Sequence, residues 1–265
     1  MIKKIISTLI LGFALLFMYV PILLLAVYSF TDSTTIGAIR SFSMDNYITL
    51  FTTEELRNMI GGTLALALIS ALVATVLGTV GAIGTYYSKK TVKTVIHSAN
   101  QIPIINADVV TGFSICVLLI IVLGMEKDTF IPLLVGHVTL SAPFVYTSVI
   151  PKLKQMDSSL YEAALDLGCS PSKALIKVVI PQIIPGILSG FMLAITLSLD
   201  DYFITTYTKP ATFDTISTYV VNATRGSQTE IKTALWALST VIFIAVVLVV
   251  VVMNLSTLRK KEEKA

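Results

Sequence analysis

Three carboxylates stand in stretches that are otherwise strongly apolar. Asp108 lies between Ile104-Ile105-Asn106-Ala107 and Val109-Val110, and Asp200 and Asp201 follow Leu197-Ser198-Leu199. A charge at the middle of a membrane helix costs about 2.5–3.5 kcal/mol on insertion scales, so Asp108 is expected to face the interior of a bundle. Two uses fit it: a cation site or gate on a path through a membrane, or a structural carboxylate bonded to a neighbouring helix end. Successive residues on a helix point about 100° apart. Asp200 and Asp201 therefore need not share one site; one can face a path while the other caps or pairs elsewhere. Tyr202 places an aromatic ring beside them.

Other chemistry is not indicated. No Gly-x-x-x-x-Gly-Lys-Ser/Thr loop is present, so the chain lacks that cradle for ATP. No Ser–His–Asp or Cys–His constellation is evident. His97 reads as a loop residue and His137 as a satisfied residue within a span, not as metal ligands. Cys116 and Cys169 are far apart and read as free thiols. The expectation is a protein with no catalytic residues, no metal and no cofactor of its own.

The elements that position these groups are membrane helices. The 265 residues are 55% hydrophobic and 13% charged, with mean hydropathy +0.85, against about 25% charge in a soluble domain. About 20 apolar residues cross a bilayer. Six stretches reach that length, at roughly 5–30, 62–87, 102–123, 130–150, 180–203 and 235–253. The expected architecture is one all-α integral membrane domain over residues 1–265 with six transmembrane helices. The first apolar run is too long for a signal h-region and no clear small-x-small site follows it, so an uncleaved span is expected.

Thirteen of the nineteen basic residues fall at the two ends, around Lys89–Lys93 and between Lys152 and Lys177. The positive-inside rule then puts both termini and the loop after the fourth span in the cytoplasm. The second span is rich in Gly and Ala, from Gly61 to Gly84, and reads as a central helix packed on all sides. The loop over 205–233 faces outside. It suits either a docking protein or an interfacial belt for Tyr207 and Tyr219.

The loop after the fourth span carries a polar hairpin over 157–180, closed by Pro181. Ser159 and Glu162 have the spacing of a capping box. Leu160, Ala163, Ala164 and Leu167 share one face, which is shallow because two of the four are alanines. Gly168 suits a left-handed stop, and Ser170-Pro171 starts a second short helix through Lys173 and Lys177. Glu162-Ala163-Ala164, Gly168 and Val178-x-Ile180-Pro181 resemble the EAA motif of ABC importer permeases of the binding-protein-dependent family. This chain departs from it only by Val and Ile in the two aliphatic places. Ser43-x-x-Asn46-Tyr47 before Leu50-Phe51 resembles the stretch after the first span of these permeases, where a short interfacial helix is one option and an ordinary amphipathic loop the other. Asn106 to Val110 resembles the Pro-Asp-Ile-Val segment of the spermidine/putrescine (polyamine) type, and 197–201 its Leu-Ser-Met/Leu-Asp-Asp. The Asn106-Ala107 departure leaves the helix start in doubt.

The resemblance implies a type I ABC importer permease fold in a bacterial inner membrane, together with several partners. These are a homologous permease, a dimer of ATPase subunits that holds ATP and Mg, an extracytoplasmic substrate-binding protein and the membrane lipid. Nucleic acid is not among them. Glu162, Ala163, Ala164, Gly168 and Pro181 would couple to the ATPase. Asp108, Asp200, Asp201 and Tyr202 would line the path or gate for a small cationic substrate, through charge pairing and cation–π contact. Amino-acid, iron and sugar permeases, and an ion-coupled secondary carrier, are the alternatives.

Overall fold

The computed structural model describes residues 2–32, 41–225, 233–244 and 247. All the named elements are helices: α1 (Ile2–Ser29), α2 (Asp45–Thr52), α3 (Glu54–Tyr87), α4 (Lys90–Ile105), α5 (Asp108–Cys116), α6 (Phe130–Gln155), α7 (Ser159–Asp166), α8 (Pro171–Ala174), α9 (Ile180–Asp200), α10 (Phe203–Thr208) and α11 (Ile216–Arg225). A further apolar helix, α12, covers Thr233–Ile244. Among the described residues, four helical stretches are long and apolar enough to cross a membrane: Ile6–Ser29, Glu54–Tyr87, Phe130–Gln155 and Pro171–Asp200. The bent pair α4–α5 makes a fifth if counted as one span. The sixth expected span, 235–253, lies largely outside the described residues; α12 covers its first part.

Three expectations about the spans are corrected. The third stretch is not one helix from 102 to 123. It breaks at Asn106 and Ala107, both extended, and α4 and α5 meet at 103°. The Asn106 amide turns across the break and donates to Thr111 Oγ1 at 2.9 Å. The fifth stretch ends at Asp200 rather than 203, because Asp201 is extended and its carboxylate starts a new helix, α10. Its beginning is also different. α8, a π-helical turn over Leu175–Val179, and α9 run on as one helix, so Pro181 lies inside a continuous rod rather than opening a new one.

The chain divides into two compact units, Met59–Tyr219 and the flanking remainder. In the flanking unit, Asn46 on α2 is buried and donates to the carbonyls of Ser29 and Thr31 at 3.0 Å each. It thereby satisfies backbone acceptors left open where α1 ends. Tyr47 meets Ser29 through its hydroxyl at 2.9 Å and packs on Phe30. The 43–51 stretch is thus a short helix that closes α1.

In the central unit, α6 and α9 pack along small residues. Gly186, Gly190, Ala194 and Ser198 recur every four residues on α9 and are all buried. A Cβ at Gly186 would stand 3.0 Å from the Ser148 carbonyl, and one at Gly190 3.0 Å from Val145 Cα. Small side chains let two backbones approach closely where lipid supplies no hydrophobic driving force. Val145, Val149, Leu153, Val179 and Ile183 fill the resulting core. α3 joins through Ala71, Ala74 and Ala82. It is not packed on all sides, as its composition suggested: Leu68, Leu72, Val76 and Val80 are exposed, and a Cβ at Gly84 would meet nothing within 4 Å.

At Gly78 α3 comes close to α6. A Cβ there would lie 2.7 Å from Val145 Cβ and 2.8 Å from the Ala142 carbonyl oxygen. Backbone cannot swing aside as a side chain does. Gly78→Val is therefore expected to lower stability by about 1–3 kcal/mol, as overpacked cores do. Gly84→Ala is expected to be neutral or stabilising by up to about 1 kcal/mol, because a helix interior prefers alanine. Unfolding midpoints of the purified protein in detergent check both.

Candidate functional site

A cavity of about 450 Å³ opens in the central unit, within the range of small-molecule sites. Asp108, Asp200, Asp201 and Tyr202 all line it, with Pro103 and Ile104 from α4 and Leu140 and Phe144 from α6. The two helix breaks are what bring these groups together. Asp108 is in the first turn of α5 rather than at mid-helix, and it is exposed. Unbonded N–H groups at a helix N-terminus favour a carboxylate by about 0.3–1 kcal/mol. Asp200 is the last residue of α9 and is exposed. Among the described residues, no side-chain partner is found for Asp108 or Asp200. Tyr202 stands in the break, half-buried, with its ring 5.2 Å from that of Phe203.

Asp201 differs from its neighbour. It is 8% exposed, and its carboxylate accepts from the backbone N–H of Ile204 (3.3 Å) and Thr205 (2.7 Å) and from Thr205 Oγ1 (2.7 Å). Thr205 Oγ1 lies 3.0 Å from His137 Nε2, and His137 Nδ1 lies 2.7 Å from Ser198 Oγ. Ser70 Oγ completes the row, 3.2 Å from Ser198 Oγ. His137 is fully buried. The sequence reading recognised it as a satisfied span residue, but no signal at its position pointed to Ser198 or Thr205, which lie 61 and 68 residues away.

The hairpin keeps its expected place and changes its cap. α7 begins at Ser159, but the Ser159–Glu162 capping box does not form. The Ser159 backbone N–H is instead accepted by Asp157 Oδ1 at 2.9 Å, and Glu162 stands in the first turn. Gly168 has φ +85°; its N–H bonds the Leu165 carbonyl and that of Cys169 the Ala164 carbonyl, forming a Schellman stop. Of the shallow face, Ala164 is buried, whereas Leu160 is 45% and Leu167 86% exposed. Glu162, Ala163 and Pro181 are exposed as well. Tyr161 ties the back of the hairpin to the end of α3, its ring 5.0 Å from that of Tyr87.

The bonds from Ser159, first its backbone N–H and then its side chain, hold the Asp157 carboxyl below the usual carboxylate range. A lowered pKa means that the cap is fully in force above the ordinary carboxylate pKa, about 3.9, and is lost as pH falls through the lower value in the folded protein. Amide exchange in the first turn of α7 is therefore expected to be flat from neutral pH to about pH 4, after intrinsic correction, and to rise below it. In Asp157→Ala the first turn exchanges faster at neutral pH and that pH step disappears.

Several helices long and apolar enough to cross a membrane, broken around a carboxylate-lined cavity, are those of a multi-pass membrane protein. Residues 75–259 match the family described as the binding-protein-dependent transport system inner membrane component, and the chain belongs to that family. It is 32% identical to the putrescine transport system permease protein PotI of Escherichia coli (strain K12), over 90% of this chain and 85% of that protein. It is 29% identical to the spermidine/putrescine transport system permease protein PotC of the same strain, over 86% of this chain and 88% of the relative. Among solved structures it resembles a chain of a bacterial ABC transporter involved in the import of the acidic polysaccharide alginate. There the TM-score is 0.71 at 20% identity, covering 98% of this chain and 95% of that one. A bacterial alginate ABC transporter in complex with an alginate pentasaccharide-bound periplasmic protein gives 0.70 at 18%, covering 93% and 91%. At such identities the likeness shows the fold, that of an ABC transporter permease.

Proposed function

We propose that this chain is the permease subunit of an ATP-driven importer of small polyamines, putrescine or spermidine. The carrying observation is the cavity: two carboxylates without side-chain partners among the described residues, Asp108 and Asp200, open into it beside Asp201 and the Tyr202 ring. Polyamines are flexible polycations with no acidic group, and they match such a lining through charge pairing and cation–π contact. The named functions of the PotI and PotC relatives support the same cargo.

In this reading a second, homologous permease completes the path and an extracytoplasmic binding protein delivers the cargo. A dimer of ATPase subunits sits on the cytoplasmic side and holds ATP and Mg. Both termini and the hairpin face that side, as the basic residues imply. Glu162, Ala163, Ala164, Gly168 and Pro181 belong to the coupling element, and the exposed Leu160 and Leu167 give it an apolar docking surface. The hairpin suits a transmitter, because Tyr161 ties it to α3 and the α8–α9 rod runs from it to Asp200 at the cavity. Closing of the ATPases on ATP would move the rod and open the path outward; hydrolysis would reset it. Residues that bind, steer and gate the cargo are this chain's contribution, and hydrolysis belongs to the ATPase.

Uptake of labelled putrescine and spermidine by the reconstituted complex tests the reading. ATP-dependent uptake that survives an uncoupler supports it. Uptake that persists without ATP and collapses with an uncoupler points to an ion-coupled carrier. Failure of both polyamines to be transported or to compete removes the cargo while leaving the family intact.

A further inference from the structure

We infer that His137 is a positioning residue that sorts the Asp200–Asp201 pair. It locks Asp201 into the scaffold and leaves Asp200 as the pair's carboxylate for cargo. This rests on the cavity reading above, but the geometry behind it is independent of what the cargo is.

The argument follows the hydrogens. Thr205 has one hydroxyl hydrogen, and the short 2.7 Å contact spends it on Asp201 Oδ2. Thr205 Oγ1 must then accept from His137, which puts the ring hydrogen on Nε2. Nδ1 is left as an acceptor, so Ser198 Oγ donates to it, and Ser198 can accept from Ser70. The result is a one-way row, Ser198 to His137 to Thr205 to Asp201, in a buried place, with Ser70 at its head sharing one hydroxyl hydrogen between Ser198 Oγ and the Ala67 carbonyl, each at 3.2 Å. His137 Nε2 stands 3.8 Å from Asp201 Oδ2, too far for a direct bond, so Thr205 is the necessary bridge.

The row ties α3, α6, α9 and α10 to one point, the break after Asp200. With Thr205 fixed, its N–H and that of Ile204 hold the Asp201 carboxylate at the start of α10. Without His137 the Thr205 hydroxyl loses its donor and can turn, which loosens its 2.7 Å bond to Asp201 Oδ2. Among the described residues, the neighbouring Asp200 carboxylate has no such holder, and it is exposed at the cavity.

The test compares carbodiimide labelling of the two carboxylates in the assembled complex, read residue by residue by fragmentation mass spectrometry. Asp200 is expected to be modified at least tenfold faster than Asp201. Adding Thr205→Val or His137→Leu is expected to shrink that ratio below threefold, whereas His137→Gln, with one donor and one acceptor, retains most of it. Copurification of the ATPase confirms assembly, and Thr205→Val serves if the leucine variant does not assemble. Equal labelling with His137 and Thr205 intact, or a ratio indifferent to both Thr205→Val and His137→Leu, overturns the proposal. In uptake, His137→Leu is expected to raise KM with little change in kcat, and to add nothing to the KM of Asp200→Asn. A purely structural role would instead give independent, additive losses. Absence of polyamine uptake by the unmodified complex overturns the cargo reading, and the labelling ratio still decides this one.

Discussion

Glu162→Lys is expected to leave the chain inserted and assembled with its partner permease, yet to cut ATP-driven uptake at least tenfold. Glu162 is exposed, in the first turn of a helix that lies outside the spans. Reversing its charge turns a favourable interaction with the helix dipole into an unfavourable one, twice the roughly 0.3–1 kcal/mol of a single exposed charge. That is too little to melt a hairpin held by buried Ala164, the Schellman stop at Gly168 and the Tyr161–Tyr87 contact. The dipole effect acts on the stability of the hairpin, whereas a tenfold loss of uptake corresponds to about 1.4 kcal/mol in the working complex and is expected from the contact with the docked ATPase. Glu162→Gln separates shape from charge and is expected to fall between the two. The measurement is the amount of ATPase that copurifies, together with cargo moved per ATP hydrolysed. Normal values for both in the lysine variant would remove Glu162 from the coupling surface.

Most of the fold is legible in the sequence, because crossing a bilayer demands long apolar runs and few other proteins contain them. α1, α3 and α6 fall close to where hydropathy puts them. What composition hides is where an apolar run bends. Nothing in the hydropathy of 102–123 or 180–203 records that the chain is extended at Asn106-Ala107 and again at Asp201. Those breaks are made by polar side chains that satisfy backbone or hydroxyl groups nearby, Asn106 on Thr111 and Asp201 on Thr205. The breaks nevertheless fall at the residues that seemed out of place, which is the physical content of reading a polar residue in a span as a site. The hairpin shows the converse. Its position along the chain was legible and its stop at Gly168 forms, but the Ser159–Glu162 spacing gave a capping box where the structure has the Asp157 carboxylate accept from the Ser159 N–H. The α3 surface shows a third limit. Gly and Ala in a span announce close packing, but α3 packs one face on α6 through Gly78 and leaves another open. That open face is available to lipid or to the second permease of the proposed complex.

Neutralising the cavity carboxylates is expected to have the largest effect on cargo. Asp108→Asn and Asp200→Asn each keep the shape of the side chain and remove its charge. A hydrogen bond to a charged group contributes about 1.5–3 kcal/mol. Both residues are exposed, so solvent screening puts the effect toward the lower end, roughly a tenfold rise in putrescine KM for each. A diamine carries two ammonium groups. If Asp108 on α5 and Asp200 on α9 each hold one, the double variant loses about a hundredfold, because independent contacts add. If both crowd around one ammonium, the second substitution adds much less. Raised salt should weaken uptake by the unmodified protein more than by the double variant, since screening acts on charges that are still present. Asp201→Asn behaves differently: the amide keeps one acceptor oxygen and sets an NH2 donor where the carboxylate accepted from Ile204 or Thr205, so its expected effect falls on assembly and less on KM. A different pattern, with KM unchanged in both cavity variants and only the maximal rate reduced, would show that these carboxylates gate the path without touching what passes through it.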